Sequence, residues 1–137
     1  MPSEIQNVNK DIAILLADDY AHSREITKRI LKRNGYSNIT DVKNGEDAVI
    51  SAKKTNYDLI LMDMQMPVMS GFEATSKIRK LQGYKNTPII ALSSFTMRDD
   101  LEKCIEVGCT EYLRQPIDSK ELMEKVYKHA PVKEAGN

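Results

Sequence analysis

Polar residues stand directly after short apolar runs at several points of this chain: Asp18-Asp19, Lys43-Asn44, Asp63, Ser93-Ser94 and Arg114-Gln115-Pro116. Asp18, Asp19 and Asp63 are carboxylates. Carboxylates gathered at one point repel one another, and a cation offsets that cost. An all-oxygen ligand set suits Mg²⁺, which keeps several waters and also binds phosphate. An aspartate beside such an ion can attack phosphorus and carry an acyl phosphate. The ion then neutralises charge on the phosphoryl oxygens. A nearby serine hydroxyl can donate a hydrogen bond to one of those oxygens.

That chemistry requires the polar residues to meet, so it depends on the elements that carry them. The apolar runs are Ile12 to Ala17, Ile39 to Val42, Leu59 to Met62, Ile89 to Leu92, and Tyr112 to Leu113. The first, third and fourth are nearly continuous, as strands buried on both faces must be. Between them the spacing turns helical. Ser70 with Glu73, Thr96 with Asp99, and Asp118 with Glu121 read as helix-start pairs. Buried faces are expected at Ala74, Ile78 and Leu81, at Leu101, Cys104 and Ile105, and at Leu122 and Val126. A first helix from about Tyr20 to Asn34 is expected to turn Ile26, Ile30 and Leu31 inward. Gly35 and Gly108 fall where helices end. The rhythm predicts a five-stranded parallel sheet with helices on both faces and right-handed crossovers. Ligands of such a sheet bind beyond the carboxyl ends of its strands, which is where the polar residues fall.

The 137 residues suffice for one domain. With 41% hydrophobic and 29% charged residues, a real core under a solvated surface is expected. Twenty basic and twenty acidic residues cancel, which argues against a nucleic-acid-binding domain. No apolar run approaches the roughly 20 residues a bilayer span needs. The start of the chain lacks the pattern of a secretory signal, so a cytoplasmic location is the default and no membrane partner is expected. Cys104 and Cys109 are the only cysteines and form no C-x-x-C pair, so they read as reduced packing thiols. Residues 1–10 and 130–137 read as flexible ends around a domain over 11–129.

Ala17-Asp18-Asp19, the run from Leu59 through Asp63-Met-Gln-Met-Pro67 to Gly71, Ile89 to Ser94, and Tyr112 to Pro116 together resemble the receiver domain of response regulators. The resemblance covers about Asp11 to Lys128. It implies a doubly wound, flavodoxin-like α/β sheet of order 2-1-3-4-5. It also implies that Asp63 is the phosphoacceptor, and that Asp19, Asp63 and the Gln65 backbone carbonyl ligate Mg²⁺, with Asp18 acting through water. Ser93 matches the hydroxyl residue that moves toward the phosphoryl group. Tyr112 matches the aromatic residue that switches rotamer. Pro67 and Gly71 shape the loop after the acceptor. Implied partners are a sensor or hybrid histidine kinase or a phosphotransfer protein, with the downstream target unspecified and a homodimer left open. The Asp63 run is closer to receivers attached to hybrid kinases than to those joined to DNA-binding domains.

One residue departs from the family pattern: Gln115 stands where a lysine is usual. Glutamine donates a neutral hydrogen bond where lysine would supply charge, a loss on the order of 1–2 kcal/mol. Arg114 should point to the opposite face of its strand and leave that loss uncorrected. Gln115 therefore keeps a second reading open, a degenerate receiver that binds a partner without phosphate. A turnover phosphatase of the haloacid dehalogenase type would carry Asp-x-Asp, and Gln65 breaks that pattern. No G-x-G-x-x-G follows the first strand, so a dinucleotide domain is excluded. His22 and His129 read as surface or rim histidines. Met62, Met64, Met66 and Met69 read as packing. The basic run Lys28-Arg29 with Lys32-Arg33 reads as the solvated face of the first helix.

Overall fold

Residues buried on both sides dictate the middle of the sheet. In a computed structural model, which describes residues 9–94 and 98–131 (the side chains of 98 and 99 excepted), three strands are buried at every position. They are β1 (Ile14–Ala17), β3 (Leu59–Asp63) and β4 (Ile89–Ser93). The edges are β2 (Ile39–Val42) and β5 (Glu111–Arg114), both partly exposed. All pairings are parallel and the order is β2-β1-β3-β4-β5. This is the doubly wound order expected from the sequence.

Pleating splits the strand side chains between two cores. Leu15, Ala17, Ile60, Met62, Ile89 and Ala91 face one, while Ile14, Leu16, Leu59, Leu61, Ile90 and Leu92 face the other. The first core is covered by α2 (Gly45–Lys54), α3 (Gly71–Arg79) and α4 (Arg98–Val107). The second is covered by α1 (Ala21–Arg33) and α5 (Ser119–His129). Ser70 and Asp118 cap their helices as expected, accepting from Glu73 N at 3.2 Å and Glu121 N at 2.9 Å. The Thr96 cap lies outside the described residues. Helix α2 has no start signal in the reading above; its cap is Asn44, whose Oδ1 accepts from Asp47 N at 2.8 Å.

Two faces differ from expectation. On α1 the buried residues are Arg24, Thr27 and Leu31, while Ile26 is exposed. A polar attraction described below rotates the helix toward Arg24. On α4, Cys104 is buried but Ile105 is 72% exposed, because neighbouring helix positions point about 100° apart and Cys104, with Val107 after it, takes the face toward the core. That end is closed by Gly108 at φ 106°. Gly108 N donates to Ile105 O at 3.0 Å and Cys109 N to Cys104 O at 2.9 Å, the paired bonds of a glycine-terminated helix.

Packing extends one residue past the expected domain at each end. Lys10 donates to Asn34 O at 2.7 Å and lies over the Tyr36 and Tyr127 rings at 4.5 and 4.8 Å. Ala130 is buried in the second core. At the amino edge of the sheet, one guanidinium closes the structure. Arg79 donates through Nη1 to Tyr84 O and Thr87 O at 2.7 and 2.6 Å, and through Nε and Nη2 to Gly108 O at 3.0 and 2.8 Å.

Candidate functional site

The carboxyl edge of the sheet brings Asp18, Asp19 and Asp63 together, with one oxygen from each lying within 4.8 Å of the others. Asp18 follows β1 and Asp63 ends β3, so the pairing of Ala17 with Met62 aligns their backbones. Asp18 and Asp63 are only 1% and 5% exposed, whereas Asp19 is open to solvent. Asp63 Oδ1 accepts from Gln65 N at 3.0 Å. Asp18 Oδ1 accepts from Tyr20 N at 3.0 Å, but its buried Oδ2 has no hydrogen-bond partner.

An unpaired buried carboxylate oxygen is costly. Burial, opposed by the Gln65 amide and reinforced by Asp18 and Asp19, pushes the Asp63 carboxyl up to about 8. The three acids suit one another poorly and a hard divalent cation well.

Arg24 is what holds Asp18 here, and the sequence reading did not single it out. Its Nη1 donates to Asp18 O at 2.8 Å and its Nε to Asp41 Oδ2 at 3.0 Å, joining β1 to β2. Lys28 Nζ adds a contact of 3.3 Å to the same Asp41. Its signal was its place one turn before Thr27 and two before Leu31, on the buried face. Arg24→Met keeps the stem but removes the fork, and Asp41 and the Asp18 carbonyl lose their donor. A stability loss of about 2–3 kcal/mol is expected, measured as a lower midpoint in urea unfolding.

The loop after Asp63 is set by contacts with backbone. A Cβ on Gly71 would lie 2.1 Å from Asp63 O, so only glycine fits, and Gly71 N donates to Met64 O at 3.1 Å. Gly45 N donates to Met69 O at 3.0 Å and ties the loop to α2. Val68 adopts φ 69°, a left-handed conformation that costs a β-branched residue roughly 1–2 kcal/mol.

Above the acids opens a cavity of ≈ 470 Å³. Gln65, Ser94 and Gln115 line its polar side, and Ile26, Pro116 and Ile117 its apolar side. Ser94, rather than its neighbour Ser93, faces the cavity, and its Oγ donates to Gln65 Oε1 at 3.2 Å. Ser93 is buried at the end of β4, where its carbonyl accepts from Gln115 N at 2.8 Å. The Gln115 side chain is directed to α1, its Nε2 donating to Ser23 Oγ at 3.2 Å. Arg114 is exposed and does not line the cavity, consistent with strand alternation. Tyr112 projects from β5 with 41% of its surface exposed. His22 lies at the cavity rim, whereas His129 pairs with Glu111 on β5. Lys125, first, then His129 and Lys128 hold the Glu111 carboxyl down at about 2.

Comparison with known proteins gives a consistent result. A family model described as the response regulator receiver domain matches residues 14–127. Hybrid signal transduction histidine kinase B of Dictyostelium discoideum is 40% identical over 129 residues, covering 85% of this chain and 6% of the kinase. The chain thus spans a small part of the hybrid kinases it matches. Chemotaxis protein CheY-3 of Vibrio cholerae is 28% identical over 121 residues, covering 88% of this chain and 93% of that protein. Among solved structures, the receiver domain of a sensor histidine kinase from Pseudomonas aeruginosa superposes with a TM-score of 0.81 at 34% identity. It covers 87% of this chain and 97% of that one, and contains a magnesium ion coordinated in its active-site cleft. No helix among the described residues is long and apolar enough to cross a membrane.

Proposed function

Because the chain belongs to the response regulator receiver domain family, as a signalling module of two-component systems and not a turnover enzyme, we propose that it accepts a phosphoryl group on Asp63 and thereby switches a partner-binding face. The observation that carries this reading is the acidic cluster, two of its three members buried, with an unpaired Asp18 oxygen and an Asp63 carboxyl raised to about 8. Asp19, Asp63 and the Gln65 carbonyl would hold Mg²⁺ directly, with Asp18 acting through water. When bound, the ion neutralises charge on Asp63 and on the incoming phosphoryl oxygens.

The residues divide the remaining work. The Gln65 amide occupies Asp63 Oδ1, which leaves Oδ2 to attack phosphorus while the donor's P–O or P–N bond breaks. Ser93, buried at the end of β4, moves toward the phosphoryl group and supplies its hydroxyl there. Gln65, bonded to Ser94, flanks the path of a hydrolytic water and tunes how long the acyl phosphate lasts. Tyr112, exposed on β5, reports the switch on the face formed by α4, β5 and α5. Phosphorylation shifts a pre-existing equilibrium of that face. The donor is a histidine kinase or phosphotransfer protein.

Intact mass after incubation with Mg²⁺ and acetyl phosphate tests the proposal. A gain of one phosphoryl mass is expected. If neither acetyl phosphate nor a histidine kinase adds that mass, the phosphate-independent binding module takes its place. The orientation of Gln115 toward Ser23 favours this second reading. Gln115→Lys restores a charged donor and is expected to raise the phosphorylated fraction or its rate about tenfold. An unchanged rate would show that Gln115 does not limit the reaction.

A further inference from the structure

Two thiols meet where α4 passes into β5. The bond from Cys109 N to Cys104 O, at 2.9 Å, folds the chain back across the Gly108 turn. A glycine-closed helix end of this kind brings the side chains of those two positions together, and apolar residues usually make the contact. Here both are cysteines. A disulfide spans Cα atoms ~4.4–6.8 Å apart, and the tight return of the chain suits that requirement.

The sulfurs already interact. A hydrogen bond from the Cys109 thiol holds the Cys104 thiol below its usual range, and the same bond together with burial pushes the Cys109 thiol up. One thiol donating to the other favours a single thiolate within the pair. Cys104 is 1% exposed, but Cys109 is only partly covered, so a small reagent can reach the pair where a bulky one cannot. The surroundings are not purely apolar. The Arg79 guanidinium and the buried Thr75 hydroxyl both act on Cys109 and oppose that rise.

We propose that Cys104 and Cys109 form a reversible dithiol–disulfide couple that responds to a small peroxide. The Cys104 thiolate attacks one oxygen of hydrogen peroxide and breaks the O–O bond. A sulfenic acid forms, and the displaced hydroxide leaves as water after taking a proton. The Cys109 sulfur then attacks the Cys104 sulfur, and the sulfenic hydroxyl leaves as a second water with the Cys109 proton. Two thiols lose two hydrogens, and one peroxide becomes two waters. The new bond covalently closes the junction between α4 and β5, three residues before Tyr112. The couple itself does not depend on phosphorylation; only its effect on partner binding rests on the function proposed above.

The test uses the full chain, reduced, desalted and exposed to a small excess of hydrogen peroxide under native conditions. Intact mass should fall by two hydrogen masses, both thiols should disappear from titration in denaturant, and the product should remain monomeric. Dithiothreitol should restore mass and thiols. Cys109→Ser should abolish the two-hydrogen loss and leave a sulfenic acid on Cys104 that dimedone traps once the chain is unfolded. Retention of both thiols in the peroxide-treated wild-type chain would overturn the proposal, as would oxygen adducts without the two-hydrogen loss or a disulfide-linked dimer. The wild-type measurement stands whether or not any variant folds.

Discussion

Asp63→Asn is expected to gain no phosphoryl mass under conditions that label the wild-type chain, and yet to be the more stable protein without metal at neutral and alkaline pH. The first effect follows from loss of the nucleophile, since an amide cannot form the acyl phosphate. The second follows from linkage. Burial and the neighbouring acids raise the folded-state Asp63 carboxyl from 3.8 to about 8, so the folded chain holds a proton that the unfolded chain has released. Stability from this group is complete below about pH 4 and is lost as pH rises toward 8. At roughly 1.4 kcal/mol per pKa unit, the loss amounts to several kcal/mol. Asparagine is neutral throughout and escapes it. Thermal unfolding of both proteins in a chelator between pH 5 and 9 should show curves that diverge with rising pH. Added Mg²⁺ should raise the wild-type midpoint more than that of the variant. Parallel curves would mean that Asp63 is not strained by its neighbours.

Gly71→Ala is expected to be the most damaging small substitution at the site. The added carbon would stand 2.1 Å from Asp63 O and 2.7 Å from Met64 Cα. Both are backbone atoms of the strand end, and neither can swing aside. The loop and the start of α3 must then part from β3, breaking the bond from Gly71 N to Met64 O. A loss of about 3 kcal/mol or more is expected, as for other overpacked sites with no flexible neighbour. Any chain that folds should hold Asp63 displaced and take up phosphate poorly. Chemical denaturation measures the first effect, and intact mass with acetyl phosphate the second. A variant as stable as the wild type would mean that the loop approaches β3 less closely.

The middle of this fold was legible because its strands have no polar face to obscure them. Leu59 to Met62 reads as a doubly buried strand from composition alone, and the strand-end rule then brought the three acids to one edge. Edge elements were harder. Strand β5 holds Glu111 and Arg114, polar residues that only an edge tolerates, and its apolar signal shrank to Tyr112 and Leu113. The face of α1 was misjudged because hydropathy assigns Ile26 to the interior and Arg24 to solvent. A carbonyl and a carboxylate on neighbouring strands reverse that order, and neither is visible from within the helix. Gln115 was recognised as a departure, but its attachment to Ser23 joins residues 92 apart in the chain. No local pattern carries that contact. The Cys104 and Cys109 contact was within reach, since a glycine between them at a helix end specifies which side chains meet.

The two edges of the sheet are in opposite mechanical conditions. At the amino edge, Arg79 binds three carbonyls from the chain segments that lead into β4 and β5. At the carboxyl edge, acids crowd one another and an oxygen of Asp18 goes unpaired. Strands clamped at one end and unsettled at the other behave as cantilevers. On the function proposed above, a change in charge at Asp63 should bend their free ends, with displacement falling toward the clamp and the motion delivered sideways to β5 and its flanking helices instead of being spread through the whole body. Amide exchange in the metal-free chain should accordingly slow along β4 from Ser93 back toward Ile89, and Mg²⁺ should flatten that gradient from the acidic end first.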